Sequence, residues 1–255
     1  MAGSYTRAAL SPLLALGLAC LGGCGNLAMT RSATDSDANR PSLKAARSAL
    51  SEGEAATALA IANGVLAYEP RNANALVAAG DADLQLGNRK TAEKEYRDAM
   101  LVSPNFVPAE LGLGKMKMRD DVKGAEAAFR AIVAASPRNA AALTDLGVTL
   151  DLQERHKEAQ TVYQAAIAAN PDLTSPRVNL ALSLALSGEA ARAEQMLRDT
   201  AESGPVPAKV RADFALAQVM AGHSDQAQQT LQADLSVDEA KASVEGMRAL
   251  LPAKN

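Results

Sequence analysis

The strongest constraint in this sequence is a pattern that returns every 33 or 34 residues. Prolines at this spacing are Pro70, Pro104, Pro137, Pro171 and Pro205. An alanine stands twelve residues before each proline, and a sixth extends the series: Ala58, Ala92, Ala125, Ala159, Ala193 and Ala227. A bulky residue follows four positions after each alanine from the second onward: Tyr96, Phe129, Tyr163, Leu197 and Leu231. A fixed period of this length predicts a stack of similar short units.

Each copy is predicted to be two amphipathic helices, A and B. A small residue in the middle of helix A lets helix B approach closely, and the series is Gly80, Gly114, Gly147, Ala181 and Ala215. Glycines five residues before the helix B alanine suit a left-handed turn after helix A, and they are Gly53, Gly87, Gly188 and Gly222. The third copy has a turn one residue shorter. The proline after helix B prevents that helix from continuing.

A last helix is predicted after the sixth copy. Ser236 and Glu239 have the spacing of a capping box, which satisfies unpaired N–H groups at a helix start. The helix then runs to about Leu251, and Pro252 ends it. A stack of repeats needs a terminal element with a polar outer face, and this helix is expected to supply it.

These features resemble the tetratricopeptide repeat (TPR), over about residues 39–235. The resemblance implies an all-α fold, a right-handed TPR solenoid of about six helix pairs plus a C-terminal capping helix. The corresponding domains are the solenoid over residues 42–235 and the capping helix and tail over residues 236–255. No copy has the tryptophan often found early in helix A of this family.

The first 23 residues are predicted to be a signal peptide. They carry one charge, Arg7, and an apolar run from Ala8 to Leu21 that is too short to cross a membrane as a helix. The following residues Leu21, Gly22, Gly23 and Cys24 resemble the lipobox of bacterial lipoproteins. That resemblance implies cleavage before Cys24, lipidation of its thiol and attachment to the membrane. Gly25 then implies the periplasmic face of the outer membrane.

Two alternatives to lipidation at Cys24 remain open at this point. Cys20 is a rival acceptor, although glycine stands where the lipobox has leucine, and an ordinary secretory signal with an incidental cysteine is the other. Residues 24–41, which include the lipidated cysteine, are small, polar and without periodicity, so we expect a disordered tether.

The composition argues against an enzyme and against nucleic-acid binding. The formal charge of −3 offers no basic face for phosphates, both cysteines lie in the first 24 residues, and there are only two histidines. We therefore expect no metal, no cofactor and no small-molecule substrate. Gly112–Lys115 lacks the full phosphate-loop spacing. His156 and His223 are interpreted as solvated turn residues without partners, which leaves no Ser-His-Asp constellation.

The A helices line the concave groove in TPR proteins, so the resemblance indicates which residues would bind a protein partner. The groove candidates are Asp81, Leu84, Gln85, Lys115, Met118, Arg119, Val148, Leu152, Val178, Leu182, Leu186, Leu216 and Val219. Lys115 and Arg119 are expected to select polar or acidic groups, and the fifth and sixth copies to take an apolar segment. The equal alternative is that the last helix covers this apolar half and makes it core.

The C-terminal stretch resembles TadD-type proteins, which are TPR lipoproteins of the tight-adherence (Tad, or Flp pilus) secretion machinery. The resemblance is carried by the sixth helix A from Val210 to Ala217, the segment Ala233–Ser236 and the closing Met247–Leu251. It implies a non-catalytic outer-membrane scaffold whose protein partners are pilus or secretin components. A general envelope scaffold or pilotin, and an activator subunit of an envelope enzyme, are the alternatives.

Overall fold

The computed structural model describes residues 40–202 and 206–251, and in these ranges every regular element is an α-helix. The helices are α1 (Arg40–Glu52), α2 (Ala55–Tyr68), α3 (Ala73–Gln85), α4 (Arg89–Val102), α5 (Val107–Asp120), α6 (Val122–Ala135), α7 (Ala140–Asp151), α8 (His156–Ala169), α9 (Thr174–Leu186), α10 (Ala190–Glu202), α11 (Ala208–Ala221), α12 (Ser224–Leu231) and α13 (Val237–Leu250). Odd-numbered helices up to α11 are the predicted A helices, even-numbered ones are the B helices, and α13 is the predicted last helix.

The described chain divides into two compact units between Thr149 and Leu150. In the N-terminal unit α1 packs on α2, α2 on α3, α3 on α4, α4 on α5 and α5 on α6, and α3 also contacts the A helices α1 and α5. The C-terminal unit repeats this scheme, with α11 in contact with α9, α10, α12 and α13. Each unit therefore contains the stacked helix pairs that the period predicts.

The predicted alanine column is the innermost part of the packing. All six helix B alanines have no exposed surface, and Tyr96, Phe129 and Leu197 from the bulky column are equally enclosed. The ring of Tyr96 lies against two glycines: a Cβ on Gly80 would come within 2.8 Å of it and a Cβ on Gly112 within 2.4 Å. Gly80 is in the same copy and Gly112 in the next, so the tyrosine fills the space between copies as expected.

The turns follow the prediction at four positions and depart from it at one. Gly53, Gly87, Gly188 and Gly222 all have φ between 83° and 95°, the left-handed region that favours glycine. The third copy has the shorter turn: Asp121 ends α5 and also begins α6, where its carboxylate accepts a hydrogen bond from the Gly124 N–H at 2.9 Å. The fourth copy places Glu154 at φ 60° in the corresponding turn.

The termini of the helical region agree with the prediction to within a few residues. The capping box is present, since Ser236 accepts from the Glu239 N–H and the Glu239 carboxylate accepts from the Ser236 N–H. Helix α1 begins at Arg40, two residues before the predicted start, because a proline in the first helical turn loses no hydrogen bond. Helix α12 has only 8 residues, fewer than the other B helices.

The signal peptide of residues 1–23, the lipobox with Cys24, most of the tether, Pro205 and Pro252 lie outside the described residues. Within the described ranges no helix has the length and apolar character needed to cross a membrane.

A pair of carboxyl groups lies in the second copy, between α3 and α4. Asp83 is buried, and one of its oxygens accepts a hydrogen bond from the Asn88 side chain at 2.8 Å. Glu95 Oε2 is also buried and has no N–H or O–H donor. Burial, together with the neighbouring Asp83, raises the pKa of Glu95 to about 7. The two groups therefore share a proton at neutral pH or below.

We predict that Glu154→Gly stabilises the protein. A non-glycine residue in the left-handed region is strained by about 1–2 kcal/mol, and the greater freedom of glycine in the unfolded chain offsets part of that gain. The free energy of unfolding, measured by urea titration of purified protein, should rise by about 0.5–1 kcal/mol. Glu154→Ala is the control and should give no comparable gain. An unchanged or lower stability for the glycine variant would contradict the strain.

We also predict that Glu95→Gln removes part of the pH dependence of stability. The pKa of Glu95 is higher in the folded protein than its ordinary value of 4.5, so stability falls as the pH rises from about 4.5 to 7 and stays lower above 7. The amide of glutamine is uncharged and can donate to Asp83. At pH 8 the variant should be more stable by about 1 kcal/mol, a figure reduced for solvent screening; at pH 4.5 the difference should vanish.

Thermal unfolding at both pH values measures this difference. The matched control is Glu93→Gln on the same helix, whose carboxylate instead pairs with Arg97 at 2.6 Å. If Glu93→Gln reproduced the gain at pH 8, a general charge effect rather than the Asp83–Glu95 pair would be responsible.

Candidate functional site

The predicted groove residues divide by exposure into three groups. Those buried are Met118, Val148, Val178 and Val219; those half-buried are Asp81, Leu84, Gln85, Lys115, Leu152, Leu182, Leu186 and Leu216; Arg119 is exposed. The four buried side chains are enclosed by their neighbours, so the structure places them in the core rather than on a binding surface. Gln85 is engaged within the fold, because its side chain donates to the Leu50 carbonyl at 3.3 Å.

The last helix covers part of the apolar surface predicted for the sixth copy. Val219 belongs to a core cluster with Ala240 and Val244 of α13, and Ala212 and Met247 pack against that cluster. For these residues of α11 the interpretation as core is therefore correct. Leu182 and Leu186 on α9, by contrast, are half-buried and retain a surface.

The half-buried leucines of the C-terminal unit are called the leucine surface below; they are Leu152, Leu182, Leu186 and Leu216. Leu182 and Leu216 occupy the same repeat position on α9 and α11, two helices in contact. Leu186 lies one helical turn beyond Leu182, on the same side of α9. These residues offer an apolar surface on the A helices to a partner segment.

A second set of side chains, here called the charged cluster, joins the three A helices α3, α5 and α7 of the N-terminal unit. Tyr96 donates its hydroxyl to Asp81 Oδ1 at 2.7 Å, and Lys115 Nζ lies 3.7 Å from Asp145 Oδ2. Asp145 is buried, whereas Asp81 and Lys115 are half-buried. Because Tyr96 is held between Gly80 and Gly112, the position of Asp81 is fixed by the same packing that joins the copies.

The charges of this cluster are poorly solvated. Burial raises the pKa of Asp145 to about 6, with Lys115 opposing the shift and Asp81 adding to it. Burial also raises the pKa of Asp81, against the attraction of Lys115 and Arg47 and the hydrogen bond from Tyr96. The pKa of Lys115 is raised chiefly by Asp145, so this lysine stays charged.

Lys115 is consequently not the free cation that the sequence suggested. Its ammonium already lies beside Asp145, a residue that was not among the groove candidates. A signal for this contact exists in the repeat: Asp145 stands one helical turn before Val148, which occupies the position of Lys115 in the next copy. Only Arg119, which is exposed, keeps the expected freedom to meet an acidic group.

The histidines have partners that the sequence did not reveal. His156 Nδ1 lies 2.8 Å from Asp151 Oδ1, and Asp151 also accepts from Ser183 at 2.7 Å and from Tyr163 at 2.9 Å. His223 Nδ1 lies 2.7 Å from Glu194, which connects α10 to the turn before α12. The interpretation of both histidines as solvated residues without partners is therefore wrong.

Ser183, His156 and Asp151 nevertheless lack the geometry of a nucleophilic triad. In such a triad the serine donates to the histidine, which is in turn oriented by the aspartate. Here the serine hydroxyl donates to the aspartate instead, and Ser183 has no exposed surface that a substrate could reach. The three residues tie α8 and α9 to the end of α7, which is a structural role.

The remaining candidates for chemistry are also explained by packing. Gly112–Lys115 lies inside α5 rather than in a loop, and a Cβ on Gly114 would come within 2.6 Å of the Phe129 ring. Asp120 pairs with Arg89 at 2.7 Å, and Asp121 begins α6. Across the described ranges, no three His, Cys, Asp or Glu side chains are placed to hold a metal ion.

Comparison with known proteins agrees with this architecture. A family model described as a tetratricopeptide repeat matches residues 110–174. No curated protein shows significant sequence similarity to the chain.

Solved structures resemble the chain over most of its length. A tetratricopeptide repeat protein from Parabacteroides merdae is 14% identical, with a TM-score of 0.61 and 83% of each chain covered. PilW, described as a widely conserved type IV pilus biogenesis factor, is 16% identical, with a TM-score of 0.62, 83% of this chain and 100% of PilW covered. PilF of Pseudomonas aeruginosa is 15% identical, with a TM-score of 0.56 and coverages of 83% and 97%. At these identities the likeness shows the fold, and the chain has the fold of tetratricopeptide repeat proteins.

Proposed function

We propose that this chain is a non-catalytic scaffold, anchored to the periplasmic face of the outer membrane through lipidated Cys24, that supports assembly of a Tad/Flp pilus and its secretin. The observation that carries the proposal is the leucine surface, which leaves apolar side chains half-exposed on the A helices of a TPR fold. Exposed apolar surface on such helices favours binding of an apolar partner segment.

The assignment to a pilus system is supported by two further observations. The chain shares its fold with PilW, which is described as a pilus biogenesis factor. The C-terminal segments resemble those of TadD-type proteins, and Leu21–Cys24 resembles a lipobox. A protein tethered by several acyl chains stays at the membrane, whereas a single chain gives only marginal binding.

We predict that replacing Leu182 and Leu186 by glutamate abolishes partner binding without unfolding the protein. Two charges on the leucine surface oppose burial against an apolar segment, and the loss should exceed about tenfold in affinity. The measurement is co-purification of the pilus secretin with the tagged protein from detergent-solubilised envelopes, together with the amount of assembled secretin. Circular dichroism of both variants monitors the fold.

The matched control is Leu101→Glu, at an exposed leucine on the B helix α4. This variant should bind as the unmodified protein does. Loss of the helical signal in the double variant would identify Leu182 and Leu186 as core, and normal secretin recovery with a folded double variant would exclude this surface as the binding site.

We predict that Cys24→Ala leaves the protein folded but moves it from the membrane fraction to the soluble periplasm. The reason is that the acyl chains would be attached to this thiol. Membrane fractionation and metabolic labelling with a radioactive fatty acid measure the outcome. The control is Cys20→Ala, which should remain labelled and at the membrane; label retained by Cys24→Ala would contradict the assignment.

A further inference from the structure

The charged cluster contains a carboxylate oxygen that the protein does not satisfy. Asp145 is 8% exposed, and its Oδ2 receives no hydrogen bond. The nearest cation, Lys115 Nζ, is 3.7 Å from this oxygen, which is an ion-pair distance but too long for a hydrogen bond. A buried carboxylate oxygen without a donor is costly and therefore favours an additional donor.

The cluster also has more negative than positive charge at its centre. The single ammonium of Lys115 is attracted by two carboxylates, Asp145 and Asp81. Tyr96 adds a neutral donor to Asp81, and Arg47 of α1 is exposed and acts only on Asp81 among the two. One cation thus serves two poorly solvated anions, and Asp145 is the less compensated of them.

The position of the cluster makes it accessible to a partner. Asp81 and Lys115 occupy the same repeat position on α3 and α5, and both keep part of their surface in solvent. The repeat position is the one that Leu182 and Leu216 occupy in the leucine surface. A segment lying along the A helices of the N-terminal unit would therefore pass over the opening of the cluster.

We propose that Asp145 and Asp81 form a binding site for a cationic side chain, a lysine or arginine, of the protein partner. The inference rests on the proposed function, because it assumes that a partner segment lies on the A helices, and it adds the charge of that segment. An incoming ammonium or guanidinium supplies the donor that Asp145 Oδ2 lacks and the second positive charge that the two carboxylates need. It reverses the expectation that this end of the surface selects acidic groups.

The probes are three labelled peptides of fifteen residues, with an alanine-rich amphipathic helical sequence, that differ at one central position. That position is lysine, glutamate or norleucine. Binding to the full-length protein in a nonionic detergent is measured by fluorescence anisotropy at pH 7.5. The lysine peptide should bind about tenfold more tightly than the glutamate peptide. The preference for lysine over norleucine should decrease between pH 7.5 and 5, since Asp145 becomes protonated over this range.

Asp145→Asn keeps the shape of the side chain and removes its charge. In this variant the lysine and glutamate peptides should bind within about twofold of each other, while the norleucine peptide binds as before. The matched control is Asp98→Asn on the B helix α4, where the carboxylate pairs with Lys94 at 2.7 Å. This control should retain the full preference for lysine, and circular dichroism shows whether each variant is folded.

The outcomes separate this inference from the proposed function. If all three peptides bind equally, the cationic site is excluded while binding along the A helices stands. A preference for lysine that persists in folded Asp145→Asn also excludes the site. If none of the peptides binds, the proposed function fails and the inference fails with it. Should Asp145→Asn not fold, the pH dependence of the unmodified protein decides, because a preference unchanged down to pH 5 contradicts a role for Asp145.

Discussion

The close approach of helices through side chains of one carbon determines the rest of this structure. Every helix B carries an alanine without exposed surface at the crossing with its own helix A, and the facing positions on helix A are glycine or alanine. Interiors pack at near-crystalline density, so a gap left by small residues must be filled by a neighbouring side chain. Tyr96, Phe129 and Leu197 fill it, and Tyr96 contacts glycines of two successive copies. The same residues thus form each pair and join it to the next.

This arrangement separates positions that must be constant from positions that are free to vary. The alanine and bulky columns repeat in nearly every copy, whereas one groove column reads Asp81, Lys115, Val148, Leu182 and Leu216. The variation produces two different surfaces on one repeated frame. In the N-terminal unit the A helices present charged groups, and in the C-terminal unit they present leucines. A repeated fold can therefore recognise a segment with different chemistry along its length, without any change in the packing beneath.

The sequence predicted the frame well because the frame depends on local and periodic requirements. Turn glycines, the short third turn and the capping box all follow from backbone geometry within a few residues. The polar contacts were harder to predict, since they join residues in different copies or across a turn. His156 and Asp151 are five residues apart on opposite sides of a turn, and Lys115 and Asp145 are thirty residues apart. Residue type alone does not indicate such pairs.

The exposure of the groove candidates was similarly beyond the reach of the periodic pattern. Met118 and Val219 occupy positions that face outward in an idealised repeat, and both are buried. Val219 is buried because α13 packs on its helix, and the identity of a covering helix is not encoded in the covered one. The positions of the thirteen candidates on the A helices were predictable, but their access to a partner was not.

The turn between α5 and α6 has a consequence for how this chain tolerates change. Asp121 is at once the last residue of one helix and the first of the next, and its carboxylate fits only because Gly124 has no side chain. The other turns between paired helices contain a left-handed residue and a separate capping residue, so they have slack that this junction lacks. Insertions or tags should therefore be accommodated in the turns around Gly87 or Gly188, whereas at Asp121 a single added residue would rotate the partner helix out of register.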